Sequence, residues 1–541
     1  MENFEDEIRY ENNIIYTEGL DDEPDSRGVG CAYFDQMLKN KDLLAQVDGF
    51  TKEKDTFGSL LKKCVRTSIW LTEIGLQYGD VVSLCSNGHL NSCVAHISAY
   101  FTGAKVAALN PSFSLAESVH LFRQVMPKVI FVGHESVTLI ENVIKEVGAN
   151  TTMVVFGPTD THVAFSDLIQ PKLNESLFKP VEVHDLKDVA LIWFSSGTTG
   201  LPKGICHTHY SILKAAELIR GQDFRNELIY TNYIPYWNVF VFYLHQSIYT
   251  KGARLLVPRF DITNPWDMFS YMATWVILDI TSSLALCRTP KPKNVDLRSL
   301  KSILVAGTTI YEEQLEEIRE TFPNVFVSQM YGESEVFSPL TYFDLAKAKH
   351  VHFLHTKKGS CGLPMRGTCY KVVDPDTDKV LGPNQKGEIR VKSQMQLGGY
   401  YNLDSSGIWD SDGWLKTGDY GYYDEDYCFY VIDRLKEMFP YRVKHITPAS
   451  IENVINTHPA VLKSVVIGIP HYIDNHHAMA LVVLKPGLPN VTGEEIQKYV
   501  EDRLDDPFHL RAGVKFVENF PMTPSGKVHR LKLKEMVFNE L

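Results

Sequence analysis

The stretch Phe194-Ser-Ser-Gly-Thr-Thr-Gly-Leu-Pro-Lys-Gly204 gathers four hydroxyl residues, three glycines and one lysine into eleven positions. Backbone N–H groups and hydroxyls in such a loop can be aimed at phosphate oxygens. Gly197, Gly200 and Gly204 allow tight turns and close approach of a ligand to the main chain. Lys203 supplies a charge that could neutralise a polyphosphate. The spacing is not that of the nucleotide P-loop, which requires G-x-x-x-x-G-K-[ST]. On composition alone the stretch reads equally well as an ordinary connection between a strand and a helix.

The elements around it narrow the choice. The apolar run Val189-Ala-Leu-Ile-Trp193 predicts a strand before the loop, and a helix-like segment begins at Tyr210. Further strands are expected at Val81-Val-Ser-Leu-Cys85, Val129-Ile-Phe-Val132, Met153-Val-Val-Phe156 and Ser302-Ile-Leu-Val305. Residues 311–322 predict a helix with Leu315, Ile318 and Phe322 on one face. This alternation points to layered α/β architecture. From Cys369 the pattern changes to hairpins, ending in 420–432, which turns at Asp424-Glu-Asp426. After Arg434 a small α+β unit is expected. Thr447 is its first N-cap, Pro448 opens the helix, and Ile451, Val454 and Ile455 form the buried face. Thr492-Gly-Glu-Glu495 is a capping box for a second helix. The expected domains are therefore 1–434 and 435–541.

Bulk properties exclude several classes. With 541 residues and 44% hydrophobic content the chain can build a large core in two to four domains. A formal charge of -12 argues against a nucleic-acid partner. The nine scattered cysteines read as reduced thiols, hence an intracellular protein. The acidic N-terminus is not a signal or transit peptide, and no apolar run is long enough to span a bilayer. The compartment is expected to be cytoplasmic or peroxisomal, although the last residues are not a Ser-Lys-Leu address.

Further motifs follow the loop in order: Tyr331-Gly-Glu-Ser-Glu335, Thr417-Gly-Asp-Tyr-Gly421, Ile432-Asp-Arg-Leu-Lys436 and Pro524-Ser-Gly-Lys527. Together they resemble the Y-G-x-[ST]-E, T-G-D, hinge and C-terminal lysine motifs of the adenylate-forming superfamily, which includes acyl-CoA synthetases, plant coumarate ligases and beetle luciferases. The likeness runs from about Phe57 to Lys532 and is greatest to insect luciferase-like acyl-CoA synthetases. It implies a large N-terminal domain of α/β subdomains with a distorted β-barrel, followed by a small mobile α+β lid. It also implies an ATP-dependent ligase that activates a carboxylic acid, fatty or aryl-aliphatic, as acyl-AMP and transfers it to CoA.

By the same resemblance Ser195, Ser196, Gly197, Thr198, Thr199, Gly200 and Lys203 wrap the phosphates. Glu335 and Thr198 hold Mg²⁺, with Ser334 and Gly332 beside them. Tyr331 stacks on adenine, and Asp419 and Arg434 bind the ribose. Lys527 stabilises the transition state, so the catalytic set is Lys203, Glu335 and Lys527. Asn238, Phe240, Gly307, Thr308 and Met330 contact the acid, and Lys436 is the hinge. Taken singly, Tyr331 reads equally as a core aromatic, Glu335 as a solvated carboxylate and Asp419 as a turn former.

The departures concentrate on the thiol step. Pro440-Tyr-Arg-Val-Lys-His-Ile446 stands where K-Y-K-G-[YH]-Q-[VI] is common, so Val443 replaces a glycine. Ser450 removes a capping-box partner, and Asn475-His476 replaces Gly-Glu. Tyr236-Trp237-Asn238 replaces P-F-x-H, and Thr308 and Met330 replace small residues. These changes leave open an adenylate former with lost or redirected thioesterification, or a non-catalytic nucleotide or acyl-adenylate binder. Cys206, His207 and His209 look like a helix start rather than a metal site. His476-His477 is expected in a loop without a cysteine partner.

Overall fold

The computed structural model describes residues 8–194, 202–257, 260–307, 310, 312–442, 444–487, 491–522 and 527–539. Its architecture is mixed α/β, with a large N-terminal domain and a smaller C-terminal one. Among the described residues, the first sheet has eight strands in the order Gly399–Tyr400, Gly204–Thr208, Val189–Phe194, Lys105–Ala108, Val81–Cys85, Val129–Gly133, Thr152–Phe156, Val163–Ala164. It is parallel from Val189–Phe194 onward. Helices cover both faces, so its central strands read as continuous apolar runs. Alternate residues enter different cores: Val82 and Leu84 pack on one side, Val81 and Cys85 on the other.

A second sheet runs Phe326–Gln329, Ser302–Val305, Trp275–Leu278, Leu228–Thr231, Ala253–Leu256, Leu44–Asp48, Lys54–Thr56. The expected helix at 311–322 is Glu312–Thr321, with Leu315 and Ile318 buried and Phe322 just beyond it. The barrel expectation falls on an antiparallel sheet whose strand path runs from Arg9–Glu11 through Thr368–Val373, Gly387–Ser393 and Leu415–Tyr423 to Phe429–Arg434.

The C-terminal sheet joins Lys444–Ile446, Phe439–Tyr441, Asn475–Leu484 and Val461–His471, with Val514–Phe516 added beside Asn475–Leu484. Helices Pro448–Asn456 and Gly493–Glu501 bury Ile451, Ile455, Ile496 and Val500 against one face. The second helix carries the expected Thr492–Glu495 capping box. Two local expectations need correction. Thr447 occupies the N-cap position, but its side chain makes no capping bond. That role falls to Asp433, at the end of the preceding sheet, whose Oδ2 accepts the Ala449 N–H at 3.1 Å. A carboxylate there also meets the positive end of the helix dipole. His476 and His477 lie in the strand Asn475–Leu484, paired with Pro470 and Ile469, rather than in a loop.

Candidate active site

The strand Leu415–Tyr423 carries Asp419 opposite Arg434 in the antiparallel register. Asp419 is buried, and Arg434 Nε lies 2.7 Å from its Oδ1. Arg434 also donates to the Thr417 carbonyl at 3.1 Å, and the Asp419 N–H donates to Thr417 Oγ1 at 3.0 Å. Tyr331, two residues beyond the strand Phe326–Gln329, donates its hydroxyl to Asp419 Oδ2 at 2.7 Å. Its main chain is braced by Thr341 and Leu340.

Glu335 follows on the same loop. Its carbonyl accepts the Leu397 N–H at 2.7 Å, and its carboxylate accepts the Tyr400 hydroxyl at 3.3 Å. The Lys203 ammonium lies 5.2 Å from the centre of the Tyr400 ring. Tyr400 thus links Lys203 to Glu335. The Ser334 carbonyl accepts a hydrogen bond from Nε2 of buried His207 at 2.8 Å. His209 accepts the Val29 N–H at 3.2 Å. Tyr236 donates its hydroxyl to the Phe194 carbonyl at 2.7 Å, fixing the last residue of the strand Val189–Phe194.

Charges of both signs converge here. Burial raises the Glu333 carboxyl well above its ordinary range; Glu335 and Asp419 add to the rise and Arg434 opposes it. Burial also raises Glu335, again against Arg434. Lys527 comes from the C-terminal domain. The residue keeps solvent exposure, yet protein atoms crowd its ammonium, and with the repulsion of Arg434 they push it down to about 8, against the pull of Asp419. Lys436 is lowered by burial and by Arg434. Three carboxylates and three cations from both domains therefore feel one another's fields.

The structure brings together Lys203, Tyr331, Glu335, Asp419, Arg434, Lys436 and Lys527. Ser195, Ser196, Gly197, Thr198, Thr199, Gly200, Thr308 and Val443 lie outside the described residues. Gly332 is exposed, and a Cβ there would stand 3.4 Å from Pro339 Cα. Gly307 has φ +96°, and a Cβ would meet the Tyr233 hydroxyl at 2.6 Å. Met330 is half-buried, with its N–H on the Val305 carbonyl. Asn238 opens the helix Asn238–Thr250 and accepts the Val239 N–H at 2.8 Å. Phe240 points into the core, its ring 5.9 Å from that of His96 and 5.6 Å from the Arg254 guanidinium.

Two residues escaped the sequence reading. Glu333 is the variable position of Y-G-x-[ST]-E, and a charge inside a loop that must be buried was the available signal. Its Oε1 is buried with no hydrogen-bond partner among the described residues. Tyr400 carries no local signal, because only the pairing of Gly399–Tyr400 with Gly204–Thr208 brings it to Lys203.

This fold and this set of groups are those of an adenylate-forming enzyme. The chain belongs to the AMP-binding enzyme family, whose profile matches residues 33–401, and the AMP-binding enzyme C-terminal domain matches 450–527. It is 28% identical over 530 residues to luciferin 4-monooxygenase of Nipponoluciola cruciata, covering 95% of each chain. It is 28% identical over 518 residues to 4-coumarate–CoA ligase 2 of Petroselinum crispum, covering 93% of each. The luciferase-like enzyme of the nonluminescent Zophobas morio mealworm superposes with TM-score 0.72 at 34% identity, over 78% of this chain and 99% of that one. ATP-bound MatB of Rhodopseudomonas palustris shares the fold, with TM-score 0.82 at 21% identity over 94% and 98% of the two chains.

Proposed function

We propose that this protein is an ATP-dependent, AMP-forming acid:CoA ligase acting on a fatty or aryl-aliphatic carboxylic acid. The observation that carries the reading is buried Asp419, held on one oxygen by Tyr331 and on the other by Arg434, in whose field Lys527 of the C-terminal domain lies. A carboxylate is already nucleophilic at neutral pH, so the first half-reaction needs positioning and charge stabilisation rather than a base. Asp419 is buried with both oxygens engaged by the protein, and the second lone pair on each suits a ribose diol. Lys527 would stabilise charge as the acid attacks the α-phosphorus and pyrophosphate leaves. Glu335 fits a hard divalent cation: its carboxylate meets the neutral Tyr400 hydroxyl, and Asp419 adds negative potential. Glu335 with Thr198 would hold Mg²⁺, which when bound would neutralise phosphate charge. The domains would divide at 434/435, with Lys436 as the hinge between half-reactions.

A second reading keeps adenylation but redirects the acyl group away from CoA. Val443, standing where the resembled family motif commonly has glycine, motivates it. Arg442 before it takes φ +53°, and Pro440 stands in the strand Phe439–Tyr441. The deciding experiment incubates the protein with Mg-ATP and a panel of carboxylic acids, with and without CoA, and quantifies acyl-AMP, acyl-CoA and AMP by mass spectrometry. Acyl-CoA with AMP is expected. Acyl-AMP that accumulates despite CoA favours the second reading, and Val443→Gly should then restore CoA-dependent turnover. Neither product from any acid, with ATP binding retained, would leave a nucleotide binder and sink the ligase.

A further inference from the structure

The hairpin between Val461–His471 and Asn475–Leu484 turns through residues 472–474, and the turn returns His477 to the side of His471. The two imidazoles stack with centroids 3.8 Å apart and planes 19° apart. Asp474 faces the edges of both rings: its Oδ2 lies 2.9 Å from His477 Nε2 and 3.7 Å from His471 Nδ1. One ligand atom from each of the three residues falls within 4.8 Å of the others. The positions obey a simple spacing, His-x-x-Asp-x-x-His, that neither His476 nor the Cys206 group shares.

We propose that His471, Asp474 and His477 bind a divalent transition ion of the imidazole-preferring class, such as zinc. Ligands about 2.0–2.1 Å from a tetrahedral zinc stand about 3.3 Å apart, and the two separations to Asp474 Oδ2 bracket that value. The ion takes the place of the hydrogen bond between His477 Nε2 and Oδ2, and the neutral ring keeps its proton on Nδ1. His471 Nδ1 exchanges a long contact, 3.2 Å from the Asp474 N–H, for the ion.

The carboxylate is already oriented by a neighbour, because Arg442 Nε donates to Oδ1 at 2.8 Å and leaves Oδ2 to the imidazoles. Such outer contacts fix a ligand's direction. The guanidinium opposes a dication, but its side chain is 61% exposed and the repulsion is correspondingly screened. The three ligands keep 39%, 12% and 18% side-chain exposure, so an ion has a path in and solvent can fill the remaining coordination position. The Arg442 N–H also donates to the Asp474 carbonyl at 2.9 Å, and Asn475 Nδ2 to the Arg442 carbonyl at 3.2 Å. An ion here therefore stiffens Arg442 at the end of the strand Phe439–Tyr441.

The test uses the full chain, stripped with a chelator and titrated with Zn²⁺ in calorimetry against a zinc-indicator dye. One tight equivalent is expected, together with a zinc-dependent rise in Tm. His471→Ala and His477→Ala should each weaken that equivalent at least about tenfold and cancel the Tm rise, while His476→Ala retains both. Matched metal-free melting curves establish that the variants fold. Zinc binding by a His471→Ala/His477→Ala protein equal to that of the wild type overturns the proposal, as does absence of a tight equivalent in the wild type.

Discussion

The Tyr331 hydroxyl and the Arg434 Nε hold opposite oxygens of Asp419, each at 2.7 Å. The carboxylate is thereby locked in rotation inside a buried site. Removing the phenolic donor leaves a buried, charged acceptor short of one partner. A hydrogen bond to a charged group contributes about 1.5–3 kcal/mol, or roughly 10- to 100-fold in binding. Tyr331→Phe is expected to raise KM for ATP by that factor in a pyrophosphate-exchange assay. An unchanged KM would remove Asp419 orientation from the nucleotide site.

Lys527 leads to a pH prediction with a definite sign. Its ammonium is pushed down to about 8, so the free enzyme loses this charge as pH rises through that value. The kcat/KM for acyl-AMP formation should fall above pH about 8, and Lys527→Arg should move that limb to higher pH. The stability term runs the other way. The folded state binds fewer protons than the unfolded one between about 8 and the ordinary lysine range, so this residue's contribution grows with pH there. A Lys527→Ala protein that keeps the wild-type alkaline limb would assign the limb to another group.

Glu333 is expected to cost stability at neutral pH. Its folded pKa is raised, so the folded state retains a proton that the unfolded state gives up above the ordinary glutamate range. Its contribution therefore falls as pH rises through that window. Glu333→Gln keeps the shape and removes the titration. It should raise Tm at pH 8 and change it little at pH 4.5; equal shifts at both would rule out charge as the cause.

Gly307 combines φ +96° with a Cβ position 2.6 Å from the Tyr233 hydroxyl, which itself donates to the Ala306 carbonyl at 2.9 Å. Gly307→Ala should destabilise by about 1–3 kcal/mol from backbone strain plus the clash. Adding Tyr233→Phe should recover the clash and not the strain. Denaturant midpoints of the two variants separate the contributions.

What could be read from the chain was mostly local. The apolar run at Val189–Phe194 and the turn at Asp424-Glu-Asp426 were legible because hydrophobic period and turn chemistry act over a few residues. Asp419 and Arg434 were legible through short motifs, and the structure adds that they face each other in register. Tyr400 and Glu333 were not legible in the same way. Tyr400 reaches Lys203 only through the pairing of two strands far apart in the chain. The capping bond was not legible for the same reason: Thr447 occupies the N-cap as expected, but the acceptor for the Ala449 N–H is Asp433, which arrives from the neighbouring sheet. His471 and His477 needed only a turn length, which the loop expectation for His476-His477 overrode.

The bond from Asp433 to Ala449 has one more consequence. The donor and acceptor lie on opposite sides of Lys436 in the chain, so a rotation of the smaller domain about that residue separates them. A helix cap is worth about 1 kcal/mol, which corresponds to roughly fivefold in an equilibrium ratio. Burial also pushes the Asp433 carboxyl up to about 6, against the pull of Arg530. Under the proposed hinge at Lys436, the orientation described here would start with the advantage of one amide hydrogen bond, and a rotated orientation would have to offer Ala449 another acceptor or forgo it. On that reading, where one helix finds its first hydrogen bond would help to set the balance between making the adenylate and spending it.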